Sequence, residues 1–176
     1  PWISSTFGID IGLVEILLPI HILWINLVTD SLPALALAVD SAEDDIMERK
    51  PLKSKKGIFT KGMTWRIIYQ GFMIGIITLV AFLIGLATPE SELPEVYHNG
   101  RLLTPEEVKV EVGQTMAFTV LAFSELVHVF NIRNNKKSIF KTHPFKNKLL
   151  LLAVFVSAVL MFAILLIPAL RDIFSI

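Results

Sequence analysis

The stretch LWINLVTDSLPALAL, residues 23–37, places polar residues and a proline inside an otherwise apolar run. Successive residues of an α-helix rotate by about 100°, so one narrow stripe of this helix carries four of them: Asn26, Thr29, Asp30 and Pro33. An ionised carboxylate at the centre of a membrane span costs about 2.5 to 3.5 kcal/mol on insertion scales. Asp30 is therefore expected to face a partner, a cation or water rather than lipid.

The composition of the whole chain favours a membrane protein. Of the 176 residues, 53% are apolar and only 18% are charged, which is unusual for a water-soluble domain. The formal net charge is zero, so no nucleic acid or polyanionic partner is predicted. The absence of cysteine excludes disulfides, thiolate metal sites and cysteine nucleophiles. The chain begins with proline and shows no signal-peptide pattern, so it is expected to be a piece of a longer protein.

Four segments are long and apolar enough to cross a bilayer, which predicts an all-α fold, a polytopic transmembrane bundle. Two of them are free of charge in their centres, whereas Asp30 and Glu125 interrupt the other two. The first helix is expected to be unwound near Pro33. The predicted spans are residues 11–39, 64–88, 112–132 and 149–170.

The basic residues are distributed unevenly among the three connections. The connections 40–63 and 133–148 are rich in lysine and arginine, whereas 89–111 is acidic. The positive-inside rule places the two basic loops in the cytoplasm and the acidic loop, with both chain ends, on the opposite side. The basic run ERKPLKSKKG, residues 48–57, resembles a nucleic-acid patch, but beside a span it is better interpreted as a topology signal.

The acidic loop carries two local signals of ordered structure. HNG, residues 98–100, is typical of a turn, because asparagine and glycine tolerate positive φ. TPEE, residues 104–107, predicts a helix start in which Thr104 is the N-cap and Glu107 completes a capping box.

Pro33 gives a second reason to expect a site in the first span. Proline has no N–H, so the carbonyl of Thr29 loses its helical hydrogen-bond partner. Irregular backbone at membrane depth needs replacement contacts from protein or an aqueous cavity. A free carbonyl, an amide, a hydroxyl and a carboxylate would converge here, and hard oxygens of this kind suit Ca²⁺, Mg²⁺, Mn²⁺ or alkali cations.

Glu125 is the second acid at membrane depth, and a divalent cation held between Asp30 and Glu125 would be neutralised. Simpler interpretations stay open for several residues. Asn26 and Thr29 alone could be interhelical hydrogen-bonding groups. Glu125 could reach the headgroups or pair with His128, which is itself expected to be a packing residue. His21 is expected near the outer interface, with no chemistry assigned.

Two longer stretches resemble the type II P-type cation ATPases, particularly the Ca²⁺ pumps of the sarco/endoplasmic reticulum type and their bacterial relatives. LLPIHILWINLVTDSLPALALAVDSAEDDIMERKP, residues 17–51, is similar to the sixth transmembrane helix and the following cytoplasmic loop of that family. TMAFTVLAFSEL, residues 115–126, is similar to the eighth helix. The resemblance extends over essentially the whole chain, through the ninth helix.

The resemblance implies a role for each matching position. Asn26, Thr29 and Asp30 would be metal ligands, with the aspartate bridging two sites, and Glu125 would complete one of them. Sodium and proton/potassium pumps generally carry an acid at the position of Asn26, which favours Ca²⁺ as the transported ion. The family's phosphorylation motif DKTGT does not occur in this sequence, so ATP and Mg²⁺ would act elsewhere in a longer parent chain.

The resemblance also implies the partners and the location of the chain. The partners would be the lipid bilayer and the remaining helices and cytoplasmic domains of a pump, in a bacterial plasma membrane. Mn²⁺ and Na⁺ remain alternative ions. A second hypothesis is a stand-alone four-helix bundle or passive channel, in which the buried acids serve only packing.

Overall fold

The computed structural model describes residues 15–40, 61–98, 101–132 and 147–176. Within these ranges it contains four helices that are long and apolar enough to cross a membrane, which confirms the predicted all-α bundle. The first span, Pro19–Ala38, consists of an α-helix Pro19–Trp24, a π-helical segment Ile25–Asp30 and an α-helix Ser31–Ala38. The other three spans are the helices Lys61–Leu86, Pro105–Ile132 and Lys148–Leu166.

The helix ends differ from the predicted span boundaries mainly in three places. The first span begins at Pro19 and not near residue 11, since residues 15–18 are not helical. The third span begins at Pro105, so its first turns extend outward from the predicted membrane segment. The fourth span ends at Leu166, and a separate C-terminal helix, Pro168–Phe174, follows it. The proline at the first position of that helix has a fixed φ and needs no N–H there, which explains why the chain restarts a helix at this point.

The second and third spans form the most extensive helix pair of the described residues. They approach most closely where Gly85 faces Gly113, since a Cβ on Gly85 would lie 2.7 Å from the Gly113 nitrogen. Phe82, Leu86 and Ala117 fill the interface beside this crossing. Small residues let the two backbones approach each other, and apolar packing then holds the pair together.

A second apolar cluster joins the first, third and fourth spans to the C-terminal helix. Its buried members are Ile25, Phe118, Ala122, Met161, Ile164 and Phe174. His21 is fully buried beside this cluster and stacks on Phe118, with ring centroids 4.5 Å apart. Its Nδ1 accepts from the Leu18 N–H at 3.3 Å, and its Nε2 lies 2.8 Å from the Phe174 carbonyl oxygen. In this arrangement Nε2 carries the proton of a neutral imidazole and donates to Phe174.

The acidic connection between the second and third spans is ordered in the parts that are described. Tyr97–His98 pairs antiparallel with Arg101–Leu102; the tip of the predicted HNG turn, residues 99–100, lies outside the described residues. The capping box is confirmed: Glu107 Oε2 accepts from the Thr104 N–H at 2.8 Å, and the Glu107 N–H donates to Thr104 Oγ1 at 3.4 Å. Arg101 forms an ion pair with Glu107 at 3.2 Å.

The two basic stretches on the opposite side fall mainly on residues 41–60 and 133–146, which lie outside the described residues. The assignment of these loops to the cytoplasm therefore stays a prediction. Leu17, just before the first span, packs with Phe82 and Leu86 near the end of the second, so residues 40 and 61 lie at one end of the bundle and the acidic connection at the other. This alternation is what consecutive membrane spans require.

Candidate ion site in the first span

The first span departs from α-helical geometry at the polar residues that the sequence singles out. The segment INLVTD, Ile25–Asp30, is π-helical and includes Asn26, Thr29 and Asp30. A π-bulge inserts an extra residue into a helical turn, and such bulges are frequent at functional sites. The sequence predicts unwinding near Pro33; the observed departure is a widened turn that ends three residues before it.

The π segment explains how the proline is tolerated inside a span. A new α-helical stretch begins at Ser31, so buried Pro33 is its third residue. The first N–H groups of an α-helix have no intrahelical acceptor, so a residue without an N–H costs little at this position. The distortion needed to accommodate Pro33 is thereby displaced onto the preceding polar turn.

Three hydroxyl groups donate to carbonyl oxygens of the π segment. Thr29 Oγ1 donates to the Ile25 carbonyl at 2.6 Å, and Ser31 Oγ donates to the Asn26 carbonyl at 2.7 Å. Ser157 Oγ, from the fourth span, donates to the Val28 carbonyl at 2.9 Å. These bonds supply the replacement contacts that irregular backbone requires at membrane depth.

The four residues of the predicted stripe do not share one environment. Thr29 and Pro33 are buried, whereas Asn26 and Asp30 are exposed on the surface that the described spans leave uncovered. The difference follows from the π segment, since its i→i+5 pattern rotates less per residue than the α-helix assumed from the sequence. The Thr29 hydroxyl donates a hydrogen bond to the Ile25 carbonyl, so the lone pairs of its oxygen are still able to accept a hydrogen bond or to ligate an ion.

Glu125 comes from the third span and is half-buried. Its span packs against the π segment, and the charge of Asp30 acts on the Glu125 carboxyl group. The fold thus places the two membrane-depth acids, 95 positions apart in the sequence, on helices that pack against each other. Among the described residues, no group of three histidine, cysteine, aspartate or glutamate side chains is placed to hold a metal ion. A site here would therefore depend on amide and hydroxyl oxygens as well as on the two carboxylates.

His128 lies on a different surface of the third span. It lines an open groove of about 370 Å³ between the second and third spans, together with Ser124 and Asn131. The rest of the lining is apolar and includes Met73, Ile77 and Phe123. The expected packing role of His128 stays a prediction.

Sequence reasoning missed two polar residues, one inside the fourth span and one that caps its start. Ser157 is fully buried, and its hydroxyl donates to the Val28 carbonyl. Asn147 caps the start of the fourth span by accepting from the Leu150 N–H at 2.9 Å, and its Nδ2 donates to the Ala36 carbonyl at 3.3 Å. A signal was present for Ser157, because it is the one hydroxyl or amide side chain in residues 149–166.

Comparison with known proteins identifies the class. Residues 14–176 match the family model described as "Cation transporting ATPase, C-terminus". The match covers more than nine-tenths of the chain, so the chain belongs to this family, and it is an integral membrane region of a cation-transporting P-type ATPase.

Individual relatives sharpen this assignment. The chain is 41% identical over 158 residues to the calcium-transporting ATPase of Bacillus subtilis, which covers 90% of the chain and 16% of that protein. It is 38% identical to calcium-transporting ATPase 1 of Bacillus cereus, over 99% of the chain and 19% of that protein. It is also 28% identical to a sodium/potassium exporting P-type ATPase of Schizosaccharomyces pombe, over 89% of the chain and 17% of that protein. The chain therefore spans less than a fifth of the length of these relatives.

Proposed function

We propose that this chain contributes one half of an intramembrane Ca²⁺ site in an ATP-driven pump. The ligands are Asn26, Thr29 and Asp30 on the first span and Glu125 on the third. The observation that supports this most directly is that the third span, which carries Glu125, packs against the π-helical turn that ends at Asp30.

The charge and the donor type favour a hard divalent cation. Two carboxylates neutralise a divalent ion, and amide, hydroxyl and carboxylate oxygens are the ligands that Ca²⁺ prefers. Asn26 and Asp30 are exposed on the described bundle. A carboxylate facing lipid is costly, so further ligands come from other helices of the complete protein, where Asp30 is covered.

The rest of the transport cycle is assigned to parts outside these residues. ATP and Mg²⁺ act on the phosphorylation and nucleotide-binding domains of the complete protein. The names of the Bacillus relatives support Ca²⁺ as the transported ion. Because both relatives come from bacteria, a bacterial plasma membrane is the proposed location. The basic loops support an orientation in which both ends of this chain are extracytoplasmic.

The proposal is tested by uptake of radiolabelled Ca²⁺ into vesicles that contain the complete protein. Asp30→Asn keeps the size of the side chain and removes its charge; we expect the apparent Ca²⁺ affinity to fall about a hundredfold or more, as when one partner of a buried ion pair is removed. Glu125→Gln should lower the affinity by about tenfold, because Glu125 is expected to ligate one ion and Asp30 two.

Asp172→Asn is the matched control, since Asp172 is an exposed acid of the C-terminal helix. It should leave the affinity at the wild-type value. Wild-type affinity in Asp30→Asn would refute the site and leave the acids with a packing role.

Sodium is the alternative ion that a specific observation favours, because one relative is named as a sodium/potassium exporter. Parallel uptake assays with Na⁺ and Mn²⁺ distinguish the ions. ATP-dependent accumulation of Na⁺ with no accumulation of Ca²⁺ would replace the assigned ion while retaining the site.

A further inference from the structure

The π segment is tied to the rest of the bundle through a residue with no charge and no place in the ligand set. Ser157 Oγ donates to the Val28 carbonyl at 2.9 Å, and the serine is completely buried. The other two hydroxyls on this segment, Thr29 and Ser31, belong to the first span itself. They move with that span, whereas Ser157 fixes it to a neighbour.

The Val28 carbonyl lies where the helix changes from π to α geometry. Continuing the i→i+5 pattern to Val28 would require an N–H on residue 33, which is a proline. The π pattern therefore cannot extend to this carbonyl. Ser157 supplies a hydrogen-bond donor to this carbonyl, which Pro33 cannot do because it has no N–H.

Holding the Val28 oxygen also orients the next residue. The peptide group is planar, so the Val28 carbonyl and the Thr29 nitrogen lie in one rigid unit. Fixing the direction of the oxygen limits rotation of that plane and hence the direction of the Thr29 side chain. Asp30 follows immediately, so Ser157 acts on the backbone of two proposed ligands without contacting an ion.

A second contact shows that the fourth span braces the first along its length. Asn147 Nδ2 donates to the Ala36 carbonyl, eight residues after Val28, and lies ten residues before Ser157. At 1.5 Å per residue these separations are about 12 Å and about 15 Å, so the two contacts fit a pair of antiparallel helices. Only the Ser157 contact reaches the π segment.

We propose that Ser157 is a positioning residue for ion binding, which holds the Val28–Thr29 peptide so that the oxygens of Thr29 and Asp30 meet the cation. The inference rests on the proposed ion site. It assigns a specific task to the fourth span, the most apolar of the four.

The test uses Ser157→Ala and Ser157→Thr in the complete protein. Ser157→Ala removes the donor; the concentration of Ca²⁺ for half-maximal uptake should rise about three- to tenfold, the worth of one buried hydrogen bond, with the maximal rate unchanged. Ser157→Thr keeps the hydroxyl but adds a methyl group to a fully buried position. It should therefore lower thermal stability while retaining near-wild-type affinity.

Ser124→Ala is the control, because Ser124 is a half-buried serine of the third span that lines the groove away from the π segment. Hydrogen–deuterium exchange gives a readout that does not depend on ion transport. Exchange in residues 25–32 should increase in Ser157→Ala and stay unchanged in Ser124→Ala.

The outcomes separate this inference from the proposed function. If Asp30→Asn loses Ca²⁺ affinity and Ser157→Ala does not, the ion site stands and the positioning role is refuted. If Asp30→Asn has wild-type affinity, the ion site fails. In that case, unchanged exchange in Ser157→Ala also refutes the structural role of the Ser157–Val28 hydrogen bond. Increased exchange supports that bond as a structural feature alone.

Discussion

The second and third spans meet through two glycines and the apolar side chains beside them. The first and fourth spans meet through hydrogen bonds from side chains to main-chain carbonyls. At the first interface Gly85 and Gly113 allow two regular helices to approach until the backbones nearly touch. At the second, Ser157 and Asn147 donate to carbonyls of a span that is not regular.

The difference reflects what each interface has to maintain. Regular helices satisfy their own backbone groups, so their association needs only shape complementarity. A span with a π segment and a proline has carbonyls that need donors from elsewhere, and these donors also fix its geometry. Packing defects should therefore lower stability at the first interface, whereas loss of a donor at the second should alter the site.

The largest effect is expected from a large side chain at the glycine crossing. A Cβ at position 85 would meet the main chain of Gly113 and the Val112 carbonyl carbon, the latter at 3.0 Å. Backbone atoms cannot move aside as side chains do, so Gly85→Leu should destabilise the bundle by more than about 3 kcal/mol. The measurement is the midpoint of thermal unfolding of the complete protein in detergent.

Gly75→Leu provides the matched control on the same helix. A Cβ at Gly75 meets nothing within 4 Å, so leucine there should be tolerated. Equal midpoints for the two variants would show that the spans can separate without cost, and the contrast between the interfaces would be lost.

A smaller effect on stability is expected where Asn147 meets Ala36, at one end of the first–fourth interface. Asn147→Ala removes the N-cap of the fourth span together with the bond to Ala36. Loss of such a cap typically costs about 1 kcal/mol, and the Ca²⁺ affinity should change less than in Ser157→Ala because Ala36 lies outside the π segment. Thermal unfolding and uptake measured on the same preparation test both parts.

Asn131→Ala is a suitable comparison for Asn147→Ala, since Asn131 is exposed at the end of the third span. Its unfolding midpoint should match that of the wild type. If Asn147→Ala instead lowered the affinity more than Ser157→Ala, the fourth span would influence the site by positioning the whole first span and not through the Val28 peptide.

The features that could be predicted from the sequence are those that depend on local chemistry. Apolar length predicts the four spans, and the Thr104 and Glu107 pair predicts the start of the third helix, as observed. The missing N–H of Pro33 predicts a disturbed helix in its vicinity. Asp30 and Glu125 could be singled out because charge inside an apolar run is costly.

The remaining features depend on contacts between distant segments. A lone serine in an apolar run carries no indication of its partner, so the bond from Ser157 to Val28 required the packed structure. The π segment was also not predictable, because its stability depends on hydroxyl donors that must be in place around it. Its altered rotation then separated Asn26 and Asp30 from Thr29, against the single stripe expected for an α-helix.

The smallest effect is expected from Pro33→Ala, which asks whether the irregular backbone itself contributes to affinity. Alanine restores an N–H that can donate to the Thr29 carbonyl, so the π segment should shift toward α geometry. Because Ser157 still holds the Val28 carbonyl, the Ca²⁺ affinity should fall by only about two- to threefold, less than one full hydrogen bond. Pro168→Ala is the control, since Pro168 occupies the first turn of its helix, where no N–H is needed. Unchanged affinity in Pro33→Ala with a reduced affinity in Ser157→Ala would assign the geometry of the site to the donor on the fourth span and not to the proline.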